Sequence, residues 1–134
     1  MLLFKPYHVW PIINKVKRHT RRDWDRRRAL SGSMHQCKTK MFTPKDDYFA
    51  MVYVEEVYKQ QLGDMTESDA QAEGGYTLAQ YQGIWEAINK CPFNPAQEVW
   101  VVLMQLDSVK MTDEAKVAYK QMYDSHMEIV RRVA

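Results

Sequence analysis

The chain has 134 residues, 46% of them hydrophobic and 12% aromatic, which is enough apolar material for one folded domain and excludes a disordered basic tail. No apolar run approaches the ~20 residues of a membrane-spanning helix, so no membrane partner is expected. The formal net charge is +2, yet residues 15–28 alone hold eight Lys and Arg against two Asp, a charge of +6 that leaves −4 for the other 120 residues. Such asymmetry concentrates positive potential on one surface and favours a polyanionic partner such as nucleic acid; the plain alternative is a solvated basic loop.

Met1–Phe4 is a short apolar run that can open a sheet. Lys5 and His8 interrupt the apolar N-terminal stretch, which has no small-residue cleavage site, so a signal peptide is not expected. Residues 7–14 suggest a short helix with Val9, Ile12 and Ile13 apolar, and Pro11 must then sit in a first turn or at a kink. Residues 18–23 are too polar for a central strand and fit an edge strand. Residues 34–42 and 48–58 follow as strands, the second rich in Val and Tyr, with its alternation broken at Glu55-Glu56 as at a bulge or where a strand leaves its sheet. Thr66 with Asp69, and Thr77 with Gln80, predict capped helix starts at 66–74 and 77–89; Gly74-Gly75 ends the first. Tyr81, Trp85 and Ile88 recur at helical spacing in the second. Residues 98–106 read as a buried strand. Residues 112–132 read as a long helix with an apolar stripe of Ala115, Ala118, Tyr119, Met122, Tyr123, His126, Ile129, Val130 and Val133.

The order of elements predicts an α+β domain built on a mixed, mostly antiparallel sheet. Cys37 and Cys91 are far apart and lie in no C-x-x-C, so neither a disulfide framework nor a zinc site is supported, and a reduced, cytoplasmic protein without metal is expected. The four histidines are scattered, and His126, on the apolar stripe, reads as a satisfied core residue.

Three stretches resemble the ASCH domain family, a branch of the PUA-like β-barrel superfamily. Lys15-Val16-Lys17-Arg18-His19-Thr20-Arg21-Arg22-Asp23-Trp24 is similar to the family's G-x-K-x-x-[E/T]-x-R segment, in the form that ends Thr-Arg-Arg-x-Trp. Residues 62–74, Leu-Gly-Asp-Met-Thr-Glu-Ser-Asp-Ala-Gln-Ala-Glu-Gly, resemble its LGD-[IM]-TEEDA-x-x-EG helix. Tyr76 to Trp85 and Glu98 to Val102 look like its aromatic helix and closing strand. The chain departs from the pattern at Lys15, where the family has glycine, and at Thr20, which is often Glu. The resemblance implies a PUA-like (ASCH) β-barrel with short helices over residues 1–108, and an added C-terminal helix, 109–134, as an extension of the same domain.

One branch of the family hydrolyses the acetamide of 4-acetylcytidine with a Lys, Thr and Glu set, and the matching positions are Lys17, Thr20 and Glu73. Amide hydrolysis needs a nucleophile, a base and a donor for the oxyanion, and these side chains supply such groups. Residues three apart face opposite sides of a strand, so Lys17 and Thr20 can converge only from a loop or bulge. The structural alternatives are a Lys17 that is one basic residue among eight, an edge-strand Thr20 and a Glu73 paired to a structural arginine. Arg21 and Arg22 are the first candidates for binding phosphate, with Lys15, Arg18 and Arg26 beside them and Trp24 as a stacking platform or a core residue. The expected partner is RNA or a modified nucleoside, without a cofactor. A ribonuclease acting on single-stranded RNA and a non-catalytic RNA-binding regulatory module are the competing readings. The stripe on 112–132 adds a homodimer through the C-terminal helix, against a helix packed wholly on its own domain.

Overall fold

The computed structural model describes residues 1–133; Ala134, the last residue of the expected extension, and the side chain of Val133, the last member of the expected stripe, lie outside the described residues. Five strands form one curled sheet: β1 (Leu2–Leu3), β2 (His19–Arg22), β3 (Met34–Lys38), β4 (Ala50–Gln61) and β5 (Glu98–Val109), in the order β1-β3-β4-β5-β2. β1 runs parallel to β3 and every other pair is antiparallel, which gives an α+β, PUA-like half-barrel. The basic strand β2 is at an edge, as its polarity predicts. β3 stops at Lys38, short of the expected 42, while β4 and β5 run three residues further than expected because they pair along their whole length.

The break at Glu55-Glu56 is a bulge, with the β4–β5 register shifting between Val54 and Glu56. Before it Ala50, Val52 and Val54 point inward; after it Val57 does, because one inserted residue exchanges the faces of the strand. These side chains join Leu2, Phe4, Val9, Ile12 and Met104 in a core inside the curl.

Four helices cover the sheet: α1 (Val9–Ile13), α2 (Glu67–Gly74), α3 (Leu78–Asn89) and α4 (Asp113–Val133). A 3₁₀ turn over Pro6–His8 leads into α1, and Pro11 is in the first turn, where a missing N–H costs nothing. Both expected capping boxes are present, Thr66 with Asp69 and Thr77 with Gln80. Gly75 ends α2 at φ 85°, the left-handed conformation that favours glycine. α4 is embedded in a second core, where Tyr123, Met127 and Val130 meet Leu62, Tyr76, Ile84, Trp85 and Val99. The expected stripe is corrected here: Met127 belongs to it, whereas Met122 (45% exposed) and Ile129 (61%) face outward. Among the described residues no helix is long and apolar enough to cross a membrane.

Candidate functional site

The site begins where α1 ends. Lys15 takes φ 62°, a left-handed value at the position where the resembled motif has glycine, and its N–H caps Ile12. The amides of Val16 and Lys17 then both bond the Pro11 carbonyl, at 2.8 and 2.9 Å. Arg18 N–H donates to Ala72 O at 2.7 Å, which ties this turn to α2. Lys17 thus projects from an irregular turn ahead of β2, and this loop placement lets it line the same cavity as Thr20. Along β2 itself, alternation sends Thr20 and Arg22 to one face and His19 and Arg21 to the other.

Glu73, on the last turn of α2, is 2% exposed and receives two cations. Lys17 Nζ is 3.4 Å from Oε1, and Arg21 Nη1 donates to Oε2 at 3.0 Å. Lys17 Nζ also donates to the carbonyls of Glu73 (2.8 Å) and His19 (2.9 Å), so its three N–H groups each face an acceptor. Burial drives the Lys17 pKa down to about 8, with Glu73 opposing the shift and Arg22 and Arg21 adding to it. Arg21 is wholly enclosed: besides Glu73 it bonds Gln60 Oε1 through Nε and Nη2, at 3.1 and 2.8 Å, and its Nη2 is 3.5 Å from Asp69. Its guanidinium is therefore spent inside the protein, unlike that of an arginine presented to a phosphate. Arg22 Nε donates to Thr20 Oγ1 at 2.9 Å while Nη2 holds the Leu3 carbonyl at 2.7 Å, and the guanidinium carbon is 4.9 Å from the centre of the Phe4 ring. A guanidinium against the threonine oxygen stabilises negative charge developing there.

These groups open onto a cavity of about 470 Å³, lined among others by Lys17, Thr20, Arg21, Arg22, Trp24 and Glu73. It is large enough for a nucleoside-sized ligand. The cations Lys17, Arg21 and Arg22 outnumber the one fully buried carboxylate, so the cavity suits an electron-rich or anionic group. Lys15, Arg18 and Arg26 lie outside it on the exposed surface, the first two around a separate cavity of about 290 Å³. The +6 segment is thus divided, part turned inward to build the site and part left on the surface.

Sequence reasoning missed three further wall residues. His8, Tyr81 and Trp85 line the same cavity. Tyr81 and Trp85 read as a core stripe, and a helix face that walls a cavity has the same period as one that fills a core. The Tyr81 phenol is held well above its ordinary pKa by burial, with the Glu73 carboxylate beside it. Trp85 keeps a buried indole N–H that has no partner among the described residues. His8 Nε2 shares the Tyr76 hydroxyl (2.7 Å) with His126 Nε2 (2.8 Å), and burial lowers the pKa of both histidines. His126 is thereby satisfied, as its place on the stripe predicts.

The curled sheet, the edge strand and the capping helices define an α+β domain built on a half-barrel sheet. More particularly, the chain has the ASCH-domain fold. It resembles the ASCH domain of Lactobacillus crispatus with a TM-score of 0.60 and 14% identity, over 74% of this chain and 69% of that one. A DUF984 protein of Enterococcus faecalis gives 0.55 and 16%, over 75% and 67%. The ASCH protein of Zymomonas mobilis gives 0.53 and 13%, over 78% and 64%. At these identities the likeness is one of fold. The chain matches no family model and no curated protein sequence.

Proposed function

We propose that this is an ASCH-family domain that binds RNA, or a modified nucleoside, in the cavity at Lys17 and Glu73, and that hydrolyses the acetamide of 4-acetylcytidine there. One observation carries the reading: Lys17, Thr20 and Glu73, drawn from segments more than 50 residues apart, line one cavity. In this reading Thr20 Oγ attacks the acetamide carbonyl. Its proton passes to neutral Lys17, an accessible state because the amine titrates near 8. Arg22, which donates to Oγ, favours loss of the hydroxyl proton. Collapse of the tetrahedral species breaks the C–N bond, and Lys17 returns the proton to the departing cytidine amine. Water then releases acetate from the acyl-threonine. Glu73 holds Lys17 and Arg21 in place and takes no proton. Lys15, Arg18 and Arg26 draw in the RNA backbone, with Trp24 at the base.

In this reading α4 acts as part of the same domain, in a reduced cytoplasmic setting that the free Cys37 and Cys91 suit. Homodimerisation through α4 rests on the outward Met122 and Ile129, and light scattering tests it. A second reading is a non-catalytic binding module, favoured by the filled coordination of Lys17 Nζ, which leaves no lone pair free while the amine is protonated. The deciding experiment incubates the protein with 4-acetylcytidine and with single-stranded RNA and follows both by mass spectrometry. Acetate and cytidine support the amidohydrolase, chain cleavage points to a ribonuclease, and binding without products leaves the binding module.

A further inference from the structure

Residues 39–49 join β3 to β4 and carry the most exposed large hydrophobic side chain among the described residues: Phe42 is 98% exposed and takes φ 56°. A left-handed conformation is uncommon for a bulky residue, and it persists only where the surrounding structure enforces it. Here it is enforced from inside. Lys38, itself 7% exposed, sends Nζ under the loop to Thr43 Oγ1 (3.2 Å) and the Pro44 carbonyl (3.0 Å). Lys110 Nζ bonds the Asp46 carbonyl from the other side, and Asp47 N–H closes a turn onto Pro44 O at 3.0 Å. Two lysines thus bond loop oxygens at Thr43, Pro44 and Asp46, and the loop is braced just past its tip. Phe42 is held out into water by a formed structure.

The loop rises from the rim of the site. Thr39 lines the cavity, as does Lys5, and Phe4 N–H bonds the Lys38 carbonyl where β1 runs beside β3, so the 4–5 and 39–40 segments leave the sheet together. Beside Phe42 in the loop the exposed residues are Lys40, Met41, Pro44 and Lys45, followed by Asp46 and Asp47, and Lys5 is exposed after β1. One exposed aromatic face among lysines, without a broad apolar patch, is suited to an unpaired base with its phosphates.

We propose that Phe42 is a stacking finger for a nucleotide next to the one in the cavity, so that the domain takes its base from a single-stranded polynucleotide. The inference rests on the nucleic-acid reading of the cavity. The test uses a decanucleotide of single-stranded RNA with one 4-acetylcytidine among uridines, and the free nucleoside alongside. Phe42→Ala should weaken decanucleotide binding by roughly five- to a hundredfold, the range that loss of one stacked base gives, and leave nucleoside binding unchanged. Phe42→Trp should keep the affinity and add a tryptophan signal quenched by the RNA. A Phe42→Ala variant that binds the decanucleotide as tightly as the parent overturns the finger and leaves the cavity reading standing. So does a parent that binds the nucleoside alone. A parent that binds neither overturns both. Unchanged RNA affinity with loss of binding to anionic phospholipid vesicles assigns Phe42 to a membrane surface and overturns the proposal.

Discussion

Glu73 neutralises two buried cations at once, so Glu73→Gln leaves Lys17 without a counter-charge and Arg21 with only the more distant Asp69, in a medium that cannot solvate them. The expected loss is about 3 kcal/mol or more, since breaking a buried pair on one side strands the other charge, and urea unfolding measures it. Lys17 gives a pH signature of its own. Burial lowers its folded pKa to about 8 while the unfolded chain keeps the ordinary 10.5, so the unfolded state binds the proton more tightly and stability from this group rises with pH between those values. Lys17→Met should abolish that rise in the difference between variant and parent. In the hydrolytic reading kcat/KM for 4-acetylcytidine should climb with pH and level off above about 8, because neutral Lys17 is the base. A rate that falls above that pH assigns the ammonium, not the amine, to the reaction. That Lys17, Thr20 and Glu73 line one cavity was expected from the resemblance of two separated motifs. The enclosure of Arg21 was not, because sequence does not tell a guanidinium that meets phosphate from one that meets Glu73, Asp69 and Gln60.

At the scale of elements, the features set by local chemistry were the readable ones. The capping boxes at Thr66 and Thr77, the glycine stop after α2 and the bulge at Glu55-Glu56 each depend on a few adjacent residues. The strand ends were less readable because pairing, which is non-local, decides how far β4 and β5 extend. The face of α4 was partly misread, since Met122 and Ile129 share the period of Tyr123 and Val130 and only the neighbouring surface selects among them. Gly75 joins these scales. It sits at φ 85°, and an added Cβ would come within 2.7 Å of the Tyr123 hydroxyl oxygen. Gly75→Ala should therefore cost on the order of 1–2 kcal/mol, more than an ordinary glycine substitution, through both backbone strain and displacement of α4. Thermal unfolding checks it, and an unchanged midpoint would show that α4 yields freely.

The whole molecule divides its charge between a buried site and an exposed surface, and the two should separate in RNA binding. Replacing Lys15, Arg18 and Arg26 with Ala should weaken binding and flatten its salt dependence by roughly one unit of slope for each phosphate no longer neutralised, with folding intact. Replacing Arg21 should instead unfold the site, and circular dichroism distinguishes the two outcomes. The same division governs the C-terminal helix. Tyr123, Met127 and Val130 complete the second core, and the Tyr123 hydroxyl donates to the Gly74 carbonyl at 2.8 Å, one residue from Glu73. Burying three such side chains contributes about 5–9 kcal/mol. That is comparable with the ~5–15 kcal/mol that holds a whole domain together. A chain cut after Ser108 should therefore show no cooperative thermal transition, because Leu62, Tyr76, Trp85 and Val99 lose the surface that covers them. Tyr123→Phe supplies the milder test: it keeps the ring, removes the bond to Gly74 O, and should cost about 1 kcal/mol. A truncated chain that still melts cooperatively would mean that the first core suffices and that α4 is an accessory to this fold.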